Sequence, residues 1–133
     1  MDEVLKKSGL KITRGRRAII KILTESGQPL DVDSLRKKLQ ALRISIDNAT
    51  IYRILETFVV NNIVRQVEFK EGKFRYEIAA LPHHHHAVCT QCGAIQDIAA
   101  CDMHTLEKKV DKEFGFKTQA HTMEFYGLCA DCQ

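Results

Sequence analysis

Four cysteines of the chain are spaced as two CxxC pairs. Cys89 and Cys92 lie in the segment CTQCG, and Cys129 and Cys132 enclose the segment CADC. Each CxxC turn lets two sulfurs bind one ion, and four thiolates match a closed, tetrahedral structural zinc site. The gap between the pairs exceeds that of a usual zinc ribbon, so a small subdomain must fold between them. The spacing therefore predicts one structural Zn²⁺ ion bound by all four cysteines.

Two other uses of these cysteines are weaker. A thioredoxin-like redox site needs only one CxxC pair and a larger βαβ domain, and disulfides are disfavoured in a reducing cytoplasm. The fifth cysteine, Cys101, lies just before a predicted helix. We interpret Cys101 as a small, partly buried residue rather than as a ligand or a redox sensor.

Four consecutive histidines, His83–His86, precede the first cysteine pair. In an extended segment successive side chains point to opposite faces, so the even-numbered and odd-numbered histidines form separate pairs. One short strip can therefore serve two metal sites. We predict that His84 and His86 join a carboxylate of the preceding hairpin, either Glu77 or Glu68, in a site that bridges the two halves of the chain.

The odd-numbered pair predicts a second site within the C-terminal half. Its four members come from three segments: His83, His85, His104 and His121. Isolated histidines are more often structural than metal-binding, and His121 alternates with Met123 and Phe125 in a way that also fits core packing. The clustering of six histidines in one region favours metal binding over that alternative.

These residue types occupy only one part of the chain. All six histidines and all five cysteines follow Pro82. Residues 1–80 carry sixteen Lys and Arg against ten Asp and Glu, a net charge of +6, whereas residues 81–133 carry four against seven, a net charge of −3. Because proline ends strand ladders and restricts its predecessor, we predict two domains, 1–80 and 81–133.

The chain has 133 residues, enough for one ordinary domain or two very small ones. No run approaches the roughly 18 apolar residues that span a bilayer, and the first residues lack an apolar signal-peptide core. We therefore expect a soluble, cytoplasmic protein without a membrane partner.

The basic half is predicted to form a winged helix-turn-helix. Thr13 precedes a helix that ends at Gly27, Asp31 or Asp33 caps a second helix, and Asp47 caps a third, NATIYRILETFVVNN, whose apolar residues recur at helical spacing. The next segment, IVRQVEFKEGKFRYEI, contains two alternating runs around a turn, which predicts a two-stranded hairpin, the wing.

The other half is predicted to contain a strand in AIQDIA, a helix in DMHTLEKKVDKEFG and a strand in FKTQAHTMEFYGL. Such a unit can bring the two cysteine pairs together. The predicted fold class is α+β, with an N-terminal winged helix-turn-helix domain followed by a small α/β domain that carries the structural zinc.

Polar groups on the third helix lie opposite its apolar stripe, so this helix could dock in the major groove of double-stranded DNA. Basic residues ahead of it could contact phosphates. The candidates are Lys11, Arg14, Arg16, Arg17, Asn48, Thr50, Tyr52 and Arg53. For these residues taken alone, an ordinary solvated face is the alternative.

Two other functional classes explain less of the chain. A hydrolytic metalloenzyme needs an open metal position and a placed general base, but Glu107 and Glu124 form no HExxH motif with the nearby histidines. A zinc storage or interaction module would explain the cysteines and histidines but leaves the basic half unused. We therefore predict a protein that is not an enzyme.

Taken together, these motifs resemble the ferric uptake regulator superfamily of metal-sensing repressors. The similarity covers nearly the whole chain and rests on GLKITRGRRAII, NATIYRILETF, GKFRYEI, HHHHAVCTQCG and HTMEFYGLCADC, in this order. It implies a winged-helix DNA-binding domain and a C-terminal dimerisation domain. It also implies a homodimer that binds a palindromic operator when metal is bound, with no small-molecule substrate.

The resemblance also implies roles for single residues. It gives the four paired cysteines the structural zinc, and it places Glu77, His84 and His86 in a regulatory site at the hinge between the domains. Tyr52 and Arg53 fall on the operator-contacting helix. The site within the dimerisation domain receives the four remaining histidines: His83, His85, His104 and His121.

The chain departs from many iron and peroxide sensors of that superfamily. They carry a histidine where this chain has GQPLD at 27–31, so Glu68, Asp31 or a water could complete the regulatory site. His85 and His104 replace carboxylates, and imidazole suits zinc, nickel and copper as well as Fe(II). These features, with the CDM segment and the MEFYGLCADC ending, look most like the zinc uptake branch. We predict regulation of metal-homeostasis genes by a second divalent metal, Zn²⁺ first and Fe²⁺ next, with nickel or manganese behind.

Overall fold

The chain folds, in a computed structural model that describes residues 1–133, as two units, Met1–Leu81 and Pro82–Gln133. The first unit contains four helices followed by a two-stranded hairpin, and the second contains three strands and one helix. None of the helices has the length and apolar character needed to cross a membrane.

The elements of the first unit follow one another with short connections. They are α1 (Asp2–Lys7), α2 (Arg14–Ser26), α3 (Val32–Ala41), α4 (Asn48–Val60), β1 (Val64–Glu68) and β2 (Phe74–Ile78). This order, three main helices and then a hairpin, is the predicted winged helix.

Side-chain caps determine where the three main helices begin. The backbone N–H groups of Arg16, Ser34 and Thr50 donate to the side chains of the three cap residues. The acceptors are Thr13 Oγ1 at 3.2 Å, Asp31 Oδ1 at 2.7 Å and Asp47 Oδ1 at 2.8 Å, respectively. Of the two predicted caps for α3, Asp31 is therefore the cap and Asp33 is not. Gly27 ends α2 with a φ of 67°, a conformation in which glycine avoids the strain of a side chain.

The core of the first unit lies where the apolar stripes of the helices meet. The side chains with no exposed surface belong to α1, α2, α3 and α4: Leu5, Ile19, Leu35, Leu39, Ile51, Leu55 and Phe58. The apolar periodicity predicted for the third helix is thus the buried face of α4, and Tyr52 and Arg53 remain on its exposed face.

The hairpin is joined to the helical part through Leu30. β1 and β2 are antiparallel, with Val64 opposite Ile78 and Glu68 opposite Phe74. Leu30 exchanges two backbone hydrogen bonds with Tyr76, at 3.0 and 2.8 Å. Next to this bridge, the Lys73 ammonium pairs with the Asp31 carboxylate, so one residue both caps α3 and holds the wing.

The second unit is built around a central strand. Its elements are β3 (His85–Cys89), β4 (Ile95–Ile98), α5 (His104–Phe114) and β5 (Glu124–Gly127), in the sheet order β4-β3-β5. β3 runs antiparallel to β4 and parallel to β5. The predicted strand, helix and strand are present, but the last strand is shorter than its apolar pattern suggested, and His121 precedes it.

The interior of the second unit holds few apolar side chains. Its buried residues are His85, His86, Val88 and Cys89, all on β3, and α5 has no buried residue. A core of this size supplies little hydrophobic stabilisation. Its polar side chains must therefore be satisfied by each other or by a bound ion.

We expect Asp31→Ala to lower the free energy of unfolding at pH 7 by about 1–2 kcal/mol, because it removes both an N-cap and an ion pair. Urea denaturation measures this change. Asp33→Ala, an exposed position in the first turn of the same helix, is the control and should shift stability by no more than about 0.5 kcal/mol.

The contribution of Asp31 to the free energy of unfolding also depends on pH. Burial raises the pKa of Asp31, but hydrogen bonds from Lys73 and Ser34 outweigh it and lower that pKa from 3.8 to about 2. The stabilisation is therefore complete above pH 3.8 and is lost as the pH falls through about 2. The difference in the free energy of unfolding between wild type and Asp31→Ala should decrease as the pH falls through that range. A difference that does not change with pH would contradict the role of the ionised Asp31 carboxylate.

Candidate metal centres

The two CxxC pairs meet at one end of the β3 sheet. Cys89 ends β3, Cys92 lies in the following turn, and Cys129 and Cys132 follow β5. One sulfur from each cysteine belongs to a group whose atoms all lie within 4.8 Å of one another, and the Cys92 and Cys129 sulfurs are 3.7 Å apart. Tetrahedral zinc with Zn–S bonds of 2.3 Å requires sulfur–sulfur distances of about 3.8 Å. The four sulfurs therefore fit one Zn²⁺ ion.

The electrostatics of this group also favour a cation. The backbone amides of Cys92 and Cys129 donate to Cys89 Sγ at 3.5 and 3.4 Å and lower the pKa of the Cys89 thiol to about 6. Hydrogen bonding with Cys129, together with burial, raises the pKa of Cys132. The Cys89 thiolate thus forms readily while Cys132 keeps its proton, and full ionisation of the group requires a positive ion among the sulfurs.

A second group lies on the odd-numbered side of the histidine run. His85 Nε2 is 3.2 Å from both His83 Nε2 and His121 Nε2. Cys101 Sγ lies 3.3 Å from His83 Nε2, 3.1 Å from His85 Nε2 and 3.4 Å from His121 Nε2. Three imidazoles and one thiol therefore point at a common centre.

Two of these imidazoles are held by partners outside the group. His121 Nδ1 lies 2.5 Å from a Glu107 carboxylate oxygen, and the His85 ring hydrogen-bonds to the backbone of Met123. Burial lowers the pKa of His85, and the neighbouring rings of His83 and His121 lower it further. His85 is therefore neutral near pH 7, the form in which an imidazole binds metal.

The even-numbered histidines form a separate pair. His84 Nε2 and His86 Nε2 are 3.1 Å apart, and Asp97 Oδ1 lies 3.6 Å from His86 Nε2. His84 Nδ1 lies 2.7 Å from the Pro82 carbonyl oxygen, which can only accept a hydrogen bond, so Nδ1 carries a proton, and in the neutral ring Nε2 offers its lone pair. This pair can also bind a metal ion.

One predicted ligand, His104, lies away from the group in which the sequence placed it. His104 was expected with His83, His85 and His121, but it is the exposed first residue of α5 and is absent from that group. The physical reason is that Cys101 Sγ lies beside the three imidazoles in the place predicted for His104, while α5 contacts His121 through Glu107.

Glu68 and Glu77 were alternatives for the regulatory site, and the wing separates them. Glu77 is 4% exposed, lies opposite Arg65 and accepts a hydrogen bond from Arg65 Nε at 2.6 Å. Glu68 lies three residues beyond Arg65, about 10 Å along the strand and on the other face of the hairpin. An ion that binds Glu77 therefore cannot also bind Glu68. Asp31, the other substitute, is engaged by Ser34 and Lys73.

The predicted DNA-contacting residues all belong to the first unit. Lys11, Arg14, Tyr52 and Arg53 are exposed, whereas three others have protein partners. Arg17 pairs with Asp2 at 2.6 Å, Arg16 donates to the Lys11 carbonyl at 2.7 Å, and Asn48 donates to Asp33 at 3.3 Å. The exposed pair Arg17–Asp2 contributes little stability, so it leaves Arg17 available to a phosphate.

Three residues of these centres were missed by the sequence patterns. Cys101 belongs to no spaced motif, Asp97 reaches the histidines only because it lies opposite His86 in the β3–β4 register, and Glu107 lies one turn into α5. A signal existed only for Glu107, an acidic residue on the predicted helix between the two isolated histidines.

Comparisons with known proteins agree with this geometry. The Ferric uptake regulator family matches residues 7–126. The ferric uptake regulation protein of Neisseria meningitidis serogroup A is 34% identical over 130 residues, which cover 97% of this chain and 90% of that protein. The names of the curated relatives refer to iron rather than to zinc.

Solved structures give the same family. The ferric uptake regulator of Vibrio cholerae superimposes with a TM-score of 0.84 at 31% identity and covers 96% of this chain and 98% of its own. That of Helicobacter pylori, described as having three functional metal binding sites, gives a TM-score of 0.83 at 29% identity, with 96% and 85% covered. These likenesses confirm the predicted α+β fold class.

We expect Cys129→Ser to release one equivalent of zinc per chain, because the variant removes one of the four thiolates that bind the ion. In the wild-type protein a structural Zn²⁺ ion contributes an apparent free energy of about 10 kcal/mol and is held tightly. Metal analysis by mass spectrometry measures the loss, and amide hydrogen exchange in β3 should accelerate with it. Ala130→Ser, an exposed neighbour, is the control and should keep both. A Cys129→Ser protein that retains its zinc and its protection would contradict the tetrathiolate assignment.

Proposed function

This chain belongs to the ferric uptake regulator family, and we propose on that basis that it is a zinc-responsive repressor of metal-homeostasis genes. It is a metal-responsive transcriptional regulator and not an enzyme. The proposal adds the identity of the regulatory metal, the sites that bind it, and a homodimer that binds a palindromic operator on double-stranded DNA.

One observation carries the proposal. The sulfur and imidazole donors converge on three centres within Pro82–Gln133, while Met1–Leu81 is a basic winged helix that exposes Tyr52 and Arg53 on α4. A storage or interaction module would have no use for the winged helix. A regulator needs both units, one to bind metal and one to read DNA.

We assign the structural zinc to Cys89, Cys92, Cys129 and Cys132 and the regulatory site to Glu77, His84 and His86. His84 and His86 offer two Nε2 atoms 3.1 Å apart, and Glu77 supplies a carboxylate from the wing. A metal bound by groups from both units would fix the angle between them, and with it the spacing of the two α4 helices in a dimer. Because half-sites lie at a set helical spacing, only the metal-bound form would fit the operator.

Zinc is favoured by the nitrogen-rich ligands on this chain. His83, His85 and His121 provide three imidazoles to one centre, and imidazole and thiolate ligands favour zinc more than Mn²⁺ or Mg²⁺. Iron is the second candidate, since the relatives are named for ferric uptake regulation and imidazole also binds Fe(II). The Zn²⁺ and Fe²⁺ alternatives differ in which metal tightens DNA binding.

The proposed homodimer is supported by apolar side chains that the second unit leaves exposed. They lie on α5, on β5 and in the segments beside them: Leu106, Phe114, Phe116, Phe125, Tyr126 and Leu128. β5 is also an edge strand, with backbone groups able to pair with another chain. Such an apolar surface on so small a unit is typical of a protein interface, and a second copy of this unit would cover it.

We expect Zn²⁺ to tighten operator binding by about tenfold or more, a coupling free energy of at least about 1.4 kcal/mol. A duplex selected from a random pool by the zinc-loaded protein serves as the operator. Anisotropy titrations then compare the protein in a mild chelator that leaves the structural zinc bound with the protein in Zn²⁺, in Mn²⁺ and, without oxygen, in Fe²⁺. Equal affinity in chelator and in Zn²⁺ would overturn the switch, and a response to Fe²⁺ alone would replace zinc with iron.

The controls separate DNA contact from metal binding. Arg53→Ala should weaken binding to the selected duplex and reduce its salt dependence, with zinc content unchanged. Lys38→Ala, on another helix of the same unit, should leave affinity within about twofold, since it is not among the predicted contacts. If no duplex is enriched and binding lacks salt dependence, a zinc storage module becomes the better explanation.

We expect Phe125→Glu to weaken dimerisation by at least about tenfold, because a carboxylate buried in an apolar interface costs more than about 1.4 kcal/mol. Light scattering after size-exclusion chromatography over a dilution series measures the change. Thr122→Glu, exposed near the start of β5, is the control and should remain dimeric. Wild-type protein that is monomeric at micromolar concentration would contradict the proposed homodimer.

A further inference from the structure

We infer that Cys101 is the fourth ligand of the centre formed by His83, His85 and His121, and that His104 is not a ligand. The centre then binds one ion through three imidazoles and one thiolate, without a carboxylate. This inference rests on the proposed metal-binding function and deepens it, because it specifies the ligand set of one centre and the class of ion that this set selects.

Five of the six distances between the four atoms lie within about 0.5 Å of those of a tetrahedral zinc site. Zn–N bonds of about 2.0–2.1 Å and a Zn–S bond of about 2.3 Å give edges of about 3.3 Å between nitrogens and about 3.6 Å between nitrogen and sulfur. The His83–His85 and His85–His121 nitrogen–nitrogen edges are 3.2 Å, and the three edges to Cys101 Sγ are 3.1, 3.3 and 3.4 Å. The sixth pair, His83 and His121, lies within 4.8 Å.

The environment aims these side chains inward before any ion binds. An ionised carboxylate can accept hydrogen bonds but cannot donate one. Glu107 therefore fixes the proton of His121 on Nδ1 and leaves Nε2 directed at the centre. Such a carboxylate–histidine pair is the usual support of a metal-binding imidazole. His85 is 3% exposed and is held by the Met123 backbone. The arrangement is therefore preorganised rather than a chance meeting of surface groups.

The group does not satisfy itself by hydrogen bonding. When the imidazoles of His85 and His121 are neutral, their Nε2 lone pairs face each other at 3.2 Å, and two acceptors cannot bond to each other. The Cys101 thiol can donate its single proton to only one of the three imidazoles. A divalent cation at the centre would coordinate the three Nε2 lone pairs and the Cys101 sulfur at once, and the thiol proton would be released to solvent.

His104 does not meet these conditions. It is exposed at the first position of α5, and the fourth corner that it was predicted to fill already holds sulfur. A soft thiolate in place of a hard carboxylate favours zinc-type ions over Mn²⁺. The centre should therefore select against manganese more strongly than a purely imidazole and carboxylate site would.

Cobalt substitution tests this inference directly. Protein whose tetrathiolate site is filled with zinc is titrated with Co²⁺, while mass spectrometry of the metals verifies that the zinc remains. A Co²⁺ ion bound by Cys101 gives a sulfur-to-cobalt charge-transfer band in the near ultraviolet. Any ion bound at His84 and His86 lacks this band, because no cysteine belongs to that pair.

We expect the band in wild-type protein and in the matched control His104→Ala, with one equivalent of Co²⁺ each. Cys101→Ser should lose the band and bind that equivalent at least tenfold more weakly. Excess Mn²⁺ should fail to displace the Co²⁺ ion from this centre in the wild-type protein. Retention of the band by Cys101→Ser, or loss of the equivalent in His104→Ala alone, would overturn the inference.

A measurement on unaltered protein guards against a variant that fails to fold. Iodoacetamide labelling mapped by peptide mass spectrometry should modify Cys101 at least tenfold more slowly once Zn²⁺ is added in excess of all remaining sites to protein whose tetrathiolate site is already filled. Equal labelling would contradict ligation by Cys101. The inference can fail while metal still tightens DNA binding, and it can hold while DNA binding ignores metal, so the two failures are distinguishable.

Discussion

The alternation of side chains along an extended strand is the constraint on which the second unit depends. β3 (His85–Cys89) is the middle strand of the sheet and directly continues His83 and His84, so odd and even residues of this extended stretch face different surroundings. His83 and His85 meet Cys101 and His121 on one side, whereas His84 and His86 meet Asp97 on the other. The same strand ends at Cys89, which starts the tetrathiolate group. One strand, with the two histidines that precede it, thus orders three candidate metal centres.

This arrangement replaces an apolar core with ligands. The buried residues of the second unit include two histidines and a cysteine, and its helix buries nothing. Buried polar groups are costly unless each is paired, so the proposed metal ions would stabilise the folded form of this unit. The first unit contrasts with it, since its core is aliphatic and its polar side chains act at the helix starts and in the wing. The two units therefore differ in what stabilises them: the second depends on polar side chains, and the first on an aliphatic core.

Much of this could be predicted because the signals were local. Caps at Thr13 and Asp47, the glycine stop at Gly27 and the apolar period of α4 act within a few residues of themselves, where backbone hydrogen bonding is decided. The hairpin followed from two alternating runs around a turn. The order of motifs along the chain was enough to suggest the family, because each motif reports a piece of local geometry.

The amino-acid sequence by itself determined the helices and the hairpin, the two CxxC pairs and the division of the histidine run into two faces. Only the tertiary structure decided which distant side chains complete each centre. Cys101 rather than His104 lies beside His85 because the segment between β4 and α5 passes the cluster before the helix begins. Glu68 lies on the wrong face because a three-residue offset along a strand reverses the side chain. Ligand geometry is a matter of a few ångströms between segments far apart in sequence, and no local pattern encodes that distance.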